Sequence, residues 1–204
     1  MSYQKFRGWV RALTVAATAA TMVGVAPVSA HAETTLLPGW DLPATVSTQA
    51  DGSILAEVDP AALAAKSTTF TTLATTGCGS TCDGKDPNNY KYAGATCAAD
   101  ATTVRAVYEP GGTYAGVELR YSPRCRTAWA RWSNNAQLLS SISLYNYTSS
   151  GTERLHYILD GLDRASQAWG PMVNDAGYLS KACYFYYDGG STANPYYTIC
   201  TTKY

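Results

Sequence analysis

Six cysteines limit what this chain can fold into more than any other feature. Cys78, Cys82, Cys97, Cys125, Cys183 and Cys200 all follow an N-terminal stretch with the form of a secretory signal. An even cysteine count behind such a signal reads as a disulfide framework. A structural zinc site is the competing use of the same thiolates. The spacing argues against it: Cys78 and Cys82 lack an answering pair, and only one histidine, His156, follows the signal. No metal and no cofactor is expected.

The signal has three parts. Lys5, Arg7 and Arg11 precede a small apolar stretch from Ala12 to Ala26, which ends at Pro27 and the small-residue site Ala30-His31-Ala32. Residues 1–32 are therefore expected as a cleaved signal peptide that sends the chain out of the cell. The apolar run is too short and too rich in Ala and Thr for a span of roughly 20 strongly apolar residues, so no membrane span is expected. Cleavage removes three of the 15 basic residues and none of the 15 acidic ones, which leaves a formal charge of −3. A sequence-independent nucleic-acid binder needs a positive excess to displace counterions from phosphates, and this chain has none. The remaining 172 residues suit one domain and an appendage.

The appendage is expected at residues 33–77. This segment is rich in Thr, Ala and Ser, contains Pro38, Pro43 and Pro60, and has no cysteine. Its larger apolar residues are scattered, too thinly to offset the entropy of ordering on their own. Asp59 and Pro60 mark the start of a short helix through Lys66. Two readings stay open: a flexible linker, or an extended docking arm with Leu36, Leu37, Trp40 and Leu42 as anchors that enter a groove on a partner.

Residues 78–204 read as a mainly β domain, a small disulfide-stapled antiparallel sandwich or barrel. Thr102, Val104, Ala106 and Tyr108 alternate with their neighbours, and so do Val117, Leu119 and Tyr121 after the Glu109-Pro110-Gly111-Gly112 turn. Leu138 to Tyr147 and Arg154 to Leu159 are further strand candidates, and helical spacing is possible from Asp160 to Ala168. A Tyr-rich hairpin closes the chain, with Asp188-Gly189-Gly190 and Asn194-Pro195 in its loop. If Tyr187 faces Tyr196, the register puts Cys183 opposite Cys200, within disulfide range, and the bridge adds about 3 kcal/mol. The pairing of the other four cysteines among themselves stays open.

The runs Cys82-Asp83-Gly84-Lys85-Asp86-Pro87 and Val117 to Arg131, with Cys97, Pro171-Met172-Val173, Cys200-Thr201 and Tyr204, resemble the YjfA-like family over about residues 78–204. The resemblance implies a domain of unknown function in secreted proteins of Gram-positive bacteria. It carries over no catalytic residue.

Several candidate sites follow from residue chemistry. Arg120, Arg124, Arg126 and Arg131 sit among Tyr121, Trp129 and Trp132, as a surface for acidic ligands would require or as ion pairs with Glu118 would. Asp83, Asp86, Asn88 and Asn89 lack the spacing of a calcium loop and suit a turn. His156 has no nucleophile motif beside it, so no catalytic residue is assigned. Tyr184, Tyr186 and Tyr196 fall in the last hairpin and are candidates for a partly exposed aromatic binding face. The leading expectation is a secreted, non-enzymatic binding or adaptor module that holds a protein partner, for example within an extracellular toxin-type complex. A cell-wall glycan binder and a hydrolase with an unrecognised carboxylate pair are the alternatives.

Overall fold

The computed structural model describes residues 33–37, 40–68, 77–110, 116–133, 140–162, 164–187, 195 and 197–204. The expected signal peptide and Tyr196 lie outside them. The chain opens with strands β1 (Glu33–Thr35), β2 (Ala44–Thr48) and β3 (Ile54–Val58), then helix α1 (Pro60–Thr68). An irregular stretch follows, with 3-10 turns at Gly79–Cys82 and Cys97–Asp100 around a small ribbon of β4 (Lys91–Tyr92) and β5 (Ala95–Thr96). Next come β6 (Thr102–Tyr108), β7 (Gly116–Ser122), β8 (Thr127–Ser133), β9 (Ser140–Thr148) and β10 (Glu153–Leu159). The short β11 (Gln167–Trp169) and β12 (Val173–Asn174) lead into β13 (Tyr178–Tyr186) and β14 (Tyr197–Cys200).

Apart from the β4–β5 ribbon, the strands among the described residues form two antiparallel sheets with no closed barrel. The first runs β1-β2-β3-β6-β7-β8-β11, with β12 also on β8, and the second runs β10-β9-β13-β14. Alternation sets which side chains meet between them. Trp132 on β8 and Tyr184 on β13 point inward and stack with ring centroids 3.9 Å apart. Val104, Val117, Leu119, Ile142, Leu144 and Ala182 fill the space around that pair. Each large apolar side chain buried this way stabilises the fold by roughly 1.5–3 kcal/mol.

Residues 33–58 depart from the expected extended arm. They supply three strands of the first sheet, with β3 hydrogen-bonded to β6. Leu37 and Trp40 are buried, and the Trp40 indole N–H donates to Tyr108 Oη at 2.9 Å. Asp41 accepts from Lys66 on α1 and from Thr102 on β6. The physical reason is that a strand on an existing sheet needs only one apolar face. Ala44, Ala56 and Val58 are enough for that face, because β6 provides the rest of the core. The helix is found where expected, with the Ala61 N–H capped by Asp59 Oδ1 at 2.8 Å.

The second difference lies at Gln167-Ala168-Trp169, whose first two residues end the stretch from Asp160 to Ala168 read with helical spacing. It is strand β11, paired with β8 so that Trp169 faces Arg131. Three residues are too few for sequence periodicity to separate the two cases, and pairing with a formed strand decides it.

Three disulfides staple the fold. Cys183 and Cys200 face each other in the β13–β14 ladder and are bonded, in the register expected for the closing hairpin. Of the alternatives left open, the structure takes Cys78–Cys82 and Cys97–Cys125. The latter ties residues 77–101 to the β7–β8 turn. Gly77 belongs to that seam: at φ +59° it lies so close that a Cβ would sit 2.3 Å from the Cys125 carbonyl oxygen.

Candidate functional site

The outward face of the first sheet carries a polar row where a half-buried sheet usually meets water. Pairing of β6, β7 and β8 sets Thr103 beside Arg120, Arg120 beside Trp129, and Glu118 beside Arg131. β11 extends the row with Trp169 beside Arg131 and Gln167 beside Ser133. The 77–101 layer borders the same face, held there by Cys97–Cys125. Asp100 adds a second tie, accepting from Ser122 Oγ at 2.7 Å, the Arg124 N–H at 2.9 Å and the Arg124 guanidinium at 3.1 Å. Between layer and sheet lies an open cleft of about 350 Å³, lined by Asn88, Ala98, Arg120, Trp129, Arg131, Gln167 and Trp169.

The charges in this cleft are uneven. Glu118 is buried and both its oxygens are engaged: Oε2 accepts from Thr103 Oγ1 at 2.6 Å and from Arg131 at 2.5 Å, and Oε1 from Ser133 at 2.8 Å. Arg120 donates to neutral acceptors, Thr103 Oγ1 at 2.8 Å and the Ala101 carbonyl at 2.9 Å. Desolvation and the neighbouring Arg131 charge pull Arg120 down to about 10, against the opposing pull of Glu118 and Asp41. The buried Nε of Arg131 has no acceptor among the described residues. Trp129 is nearly buried, whereas Trp169 keeps 38 % of its surface exposed and is pinned by its indole N–H to Asp86 Oδ1 at 3.2 Å.

The arginine-rich run is thus divided by the fold. Arg120 and Arg131 share the cleft with Trp129, Arg124 is bound to Asp100, and Trp132 faces the core. Arg126 sits in the β7–β8 turn with φ +52°, its carbonyl accepting the Asp175 N–H. Trp169, Gln167 and Asn88 belong to the cleft although the motif does not contain them. The signal for Trp169 was its isolation before Gly170-Pro171, where a ring has no local core to join.

The remaining candidates disperse. Asp83 pairs with Arg154 at 2.7 Å and accepts the Asn174 N–H at 2.6 Å, while Asp86 accepts from Asn88 and Asn89 in a turn. His156 stacks on Tyr145 at 4.0 Å, on the outer face of the second sheet, and no carboxylate or nucleophile among the described residues is hydrogen-bonded to it. Lys181 lies 5.0 Å from the Tyr145 ring centroid and Lys203 3.9 Å from that of Tyr147, so this face is a ladder of rings and cations. Tyr184 is fully buried and Tyr186 half-buried, because β13 turns one face to the core. Leu36 is the most exposed large apolar side chain among the described residues, at 64 %, beside buried Leu37; Leu42 packs on the core edge. Cys78, Cys97 and Cys125 bring their sulfurs within 4.8 Å of one another, but all three are consumed in disulfides.

Residues 80–183, just over half of the chain, match the model of a family described as a protein of unknown function, DUF2690. No curated protein and no solved structure matches the chain.

Proposed function

We propose a binding role for this chain, which belongs to the DUF2690 family of proteins of unknown function: it is an extracellular adaptor module that holds a protein partner at its N-terminal edge. The observation that carries this reading is β1. It is a three-residue strand at the end of the first sheet, paired among the described residues on one side only, to β2. Unpaired backbone N–H and C=O groups on such an edge are a template for a strand from another chain. Thr34, Thr35 and Leu36 are exposed, and Leu36 offers an apolar contact beside that edge. Leu37 and Trp40, expected as anchors for a partner, instead hold the edge onto its own core.

Two features support an extracellular setting. Three disulfides need an oxidising compartment to form and persist, and no helix among the described residues is long and apolar enough to cross a membrane. The YjfA-like resemblance, with its secreted Gram-positive setting, points the same way. One concrete form is an adaptor in an extracellular toxin-type complex, with the partner subunit continuing the sheet beyond β1.

Removing all of residues 33–77 would take three core strands away, so the discriminating change is smaller. Deletion of residues 33–36 should cut capture of the partner from culture supernatant at least tenfold, while Cys97–Cys125 and the near-UV spectrum stay native. Undiminished capture by that variant would sink the reading.

A further inference from the structure

We infer that the cleft bordered by β7, β8 and β11 is a second binding site, for a carboxylated sugar unit of an extracellular glycan. It lies at the opposite end of the first sheet from β1 and does not depend on the protein-holding role. The first argument is charge. Two guanidinium groups share one carboxylate, and that carboxylate has both oxygens occupied by Thr103, Arg131 and Ser133. Arg120 has only neutral acceptors, and the Nε of Arg131 has none among the described residues. Among Glu118, Arg120 and Arg131 the excess is one positive charge in a partly desolvated place. A single carboxylate cancels it; a phosphate group, at roughly −1.5 to −2 near pH 7, would overshoot.

The second argument is the rest of the lining. Trp169 keeps an exposed indole held in place by its bond to Asp86, which suits the C–H face of a sugar ring. Asn88 and Gln167 add amides that both donate and accept, as ring hydroxyls require. The Asp86 carboxylate keeps its charge but is not among the residues that line the cleft, and its oxygens are turned to the Trp169 indole and to Asn88 and Asn89. The volume, about 350 Å³, falls at the lower end of ligand sites, roughly 300–1,000 Å³, and the cleft is open to solvent so a glycan chain can continue out of it.

The test uses the full oxidised protein, titrated calorimetrically and by indole NMR with trigalacturonate, with maltotriose as a neutral trimer and with an acetylated, amidated tri-glutamate peptide. Trigalacturonate should bind and shift the Trp169 and Trp129 indole signals, and raised salt should weaken it. Maltotriose should bind at least tenfold more weakly. Trp169→Ala, at a half-exposed site, should lose tenfold or more in trigalacturonate affinity while keeping partner capture through β1. Arg131→Lys keeps the charge but loses the planar fork and should show a comparable loss. The inference fails if trigalacturonate leaves both indoles unmoved at millimolar concentration, if Trp169→Ala binds as the wild type does, or if maltotriose binds equally well. Tighter binding of tri-glutamate than of trigalacturonate would reassign the cleft to an acidic peptide and overturn the glycan.

Discussion

The two sheets share a core but treat their outer faces differently. On the first sheet, β6, β7 and β8 are largely buried on both sides, because the 77–101 layer is drawn over them. On the second sheet, β10 has no buried residue, and the outer face is bare around Tyr145, Tyr147 and Lys181. The covered face holds charges that must find partners inside the protein, and there Glu118, Arg120 and Arg131 make a cleft with an uncancelled charge. The bare face has water for its ions, so Tyr145, Tyr147, Lys181 and Lys203 need only stack. Cover, rather than residue type, turns a row of arginines into a site.

The comparison breaks most visibly at its staples. Replacing Cys97 and Cys125 together by Ser opens a loop of sequence separation 28 and frees the covering layer. The expected loss is about 4 kcal/mol in a denaturant titration, with the Trp129 signal altered. Removing Cys183–Cys200, with separation 17, should cost about 3 kcal/mol and leave the cleft intact. Equal disturbance of Trp129 by both changes would mean that the layer is held by something other than its bridge.

A second effect belongs to the seam between the sheets. Asp175 accepts from Ser180 Oγ on β13 at 2.5 Å, and its own N–H bonds the Arg126 carbonyl in the β7–β8 turn. Burial pushes its carboxyl up to about 7, against the opposing effects of Ser180, Arg126 and Arg154. A folded pKa above the unfolded one means that the native state holds the proton more tightly. Stability is therefore fullest below about pH 4 and falls as pH rises through 7, by a few kcal/mol at most. Calorimetry from pH 4 to 8 should show this fall, and Asp175→Asn should flatten it. An unchanged slope in that variant would assign the effect to another group.

The smallest effect is expected on the bare face. Tyr147→Ala removes one ring from between Lys181 and Lys203 and should cost less than about 1 kcal/mol. A loss several times larger would show that the ladder is structural after all.

How legible was all this in the sequence? The β6–β7 hairpin could be read because Val117, Leu119 and Tyr121 alternate and a Pro-Gly-Gly turn precedes them. The Cys183–Cys200 bridge could be read because both cysteines sit in one local hairpin, where loop length fixes register. Residues 33–58 could not, because Ala44 and Ala56 do their burying with side chains too small to register as a hydrophobic pattern. The cleft was half legible. Arg120, Trp129 and Arg131 fall within one run, but Trp169 and Gln167 reach it only through the pairing of β11 with β8, some forty residues along the chain. Local periodicity carries no information about such a crossing.

The face-to-face contact of Trp132 with Tyr184 has a practical consequence. One ring comes from each sheet, and both are shut away from water. Their coupled near-ultraviolet signal is a built-in gauge of whether the two layers are together. An observer needs no label to watch the sandwich part, even when backbone strand content survives the separation.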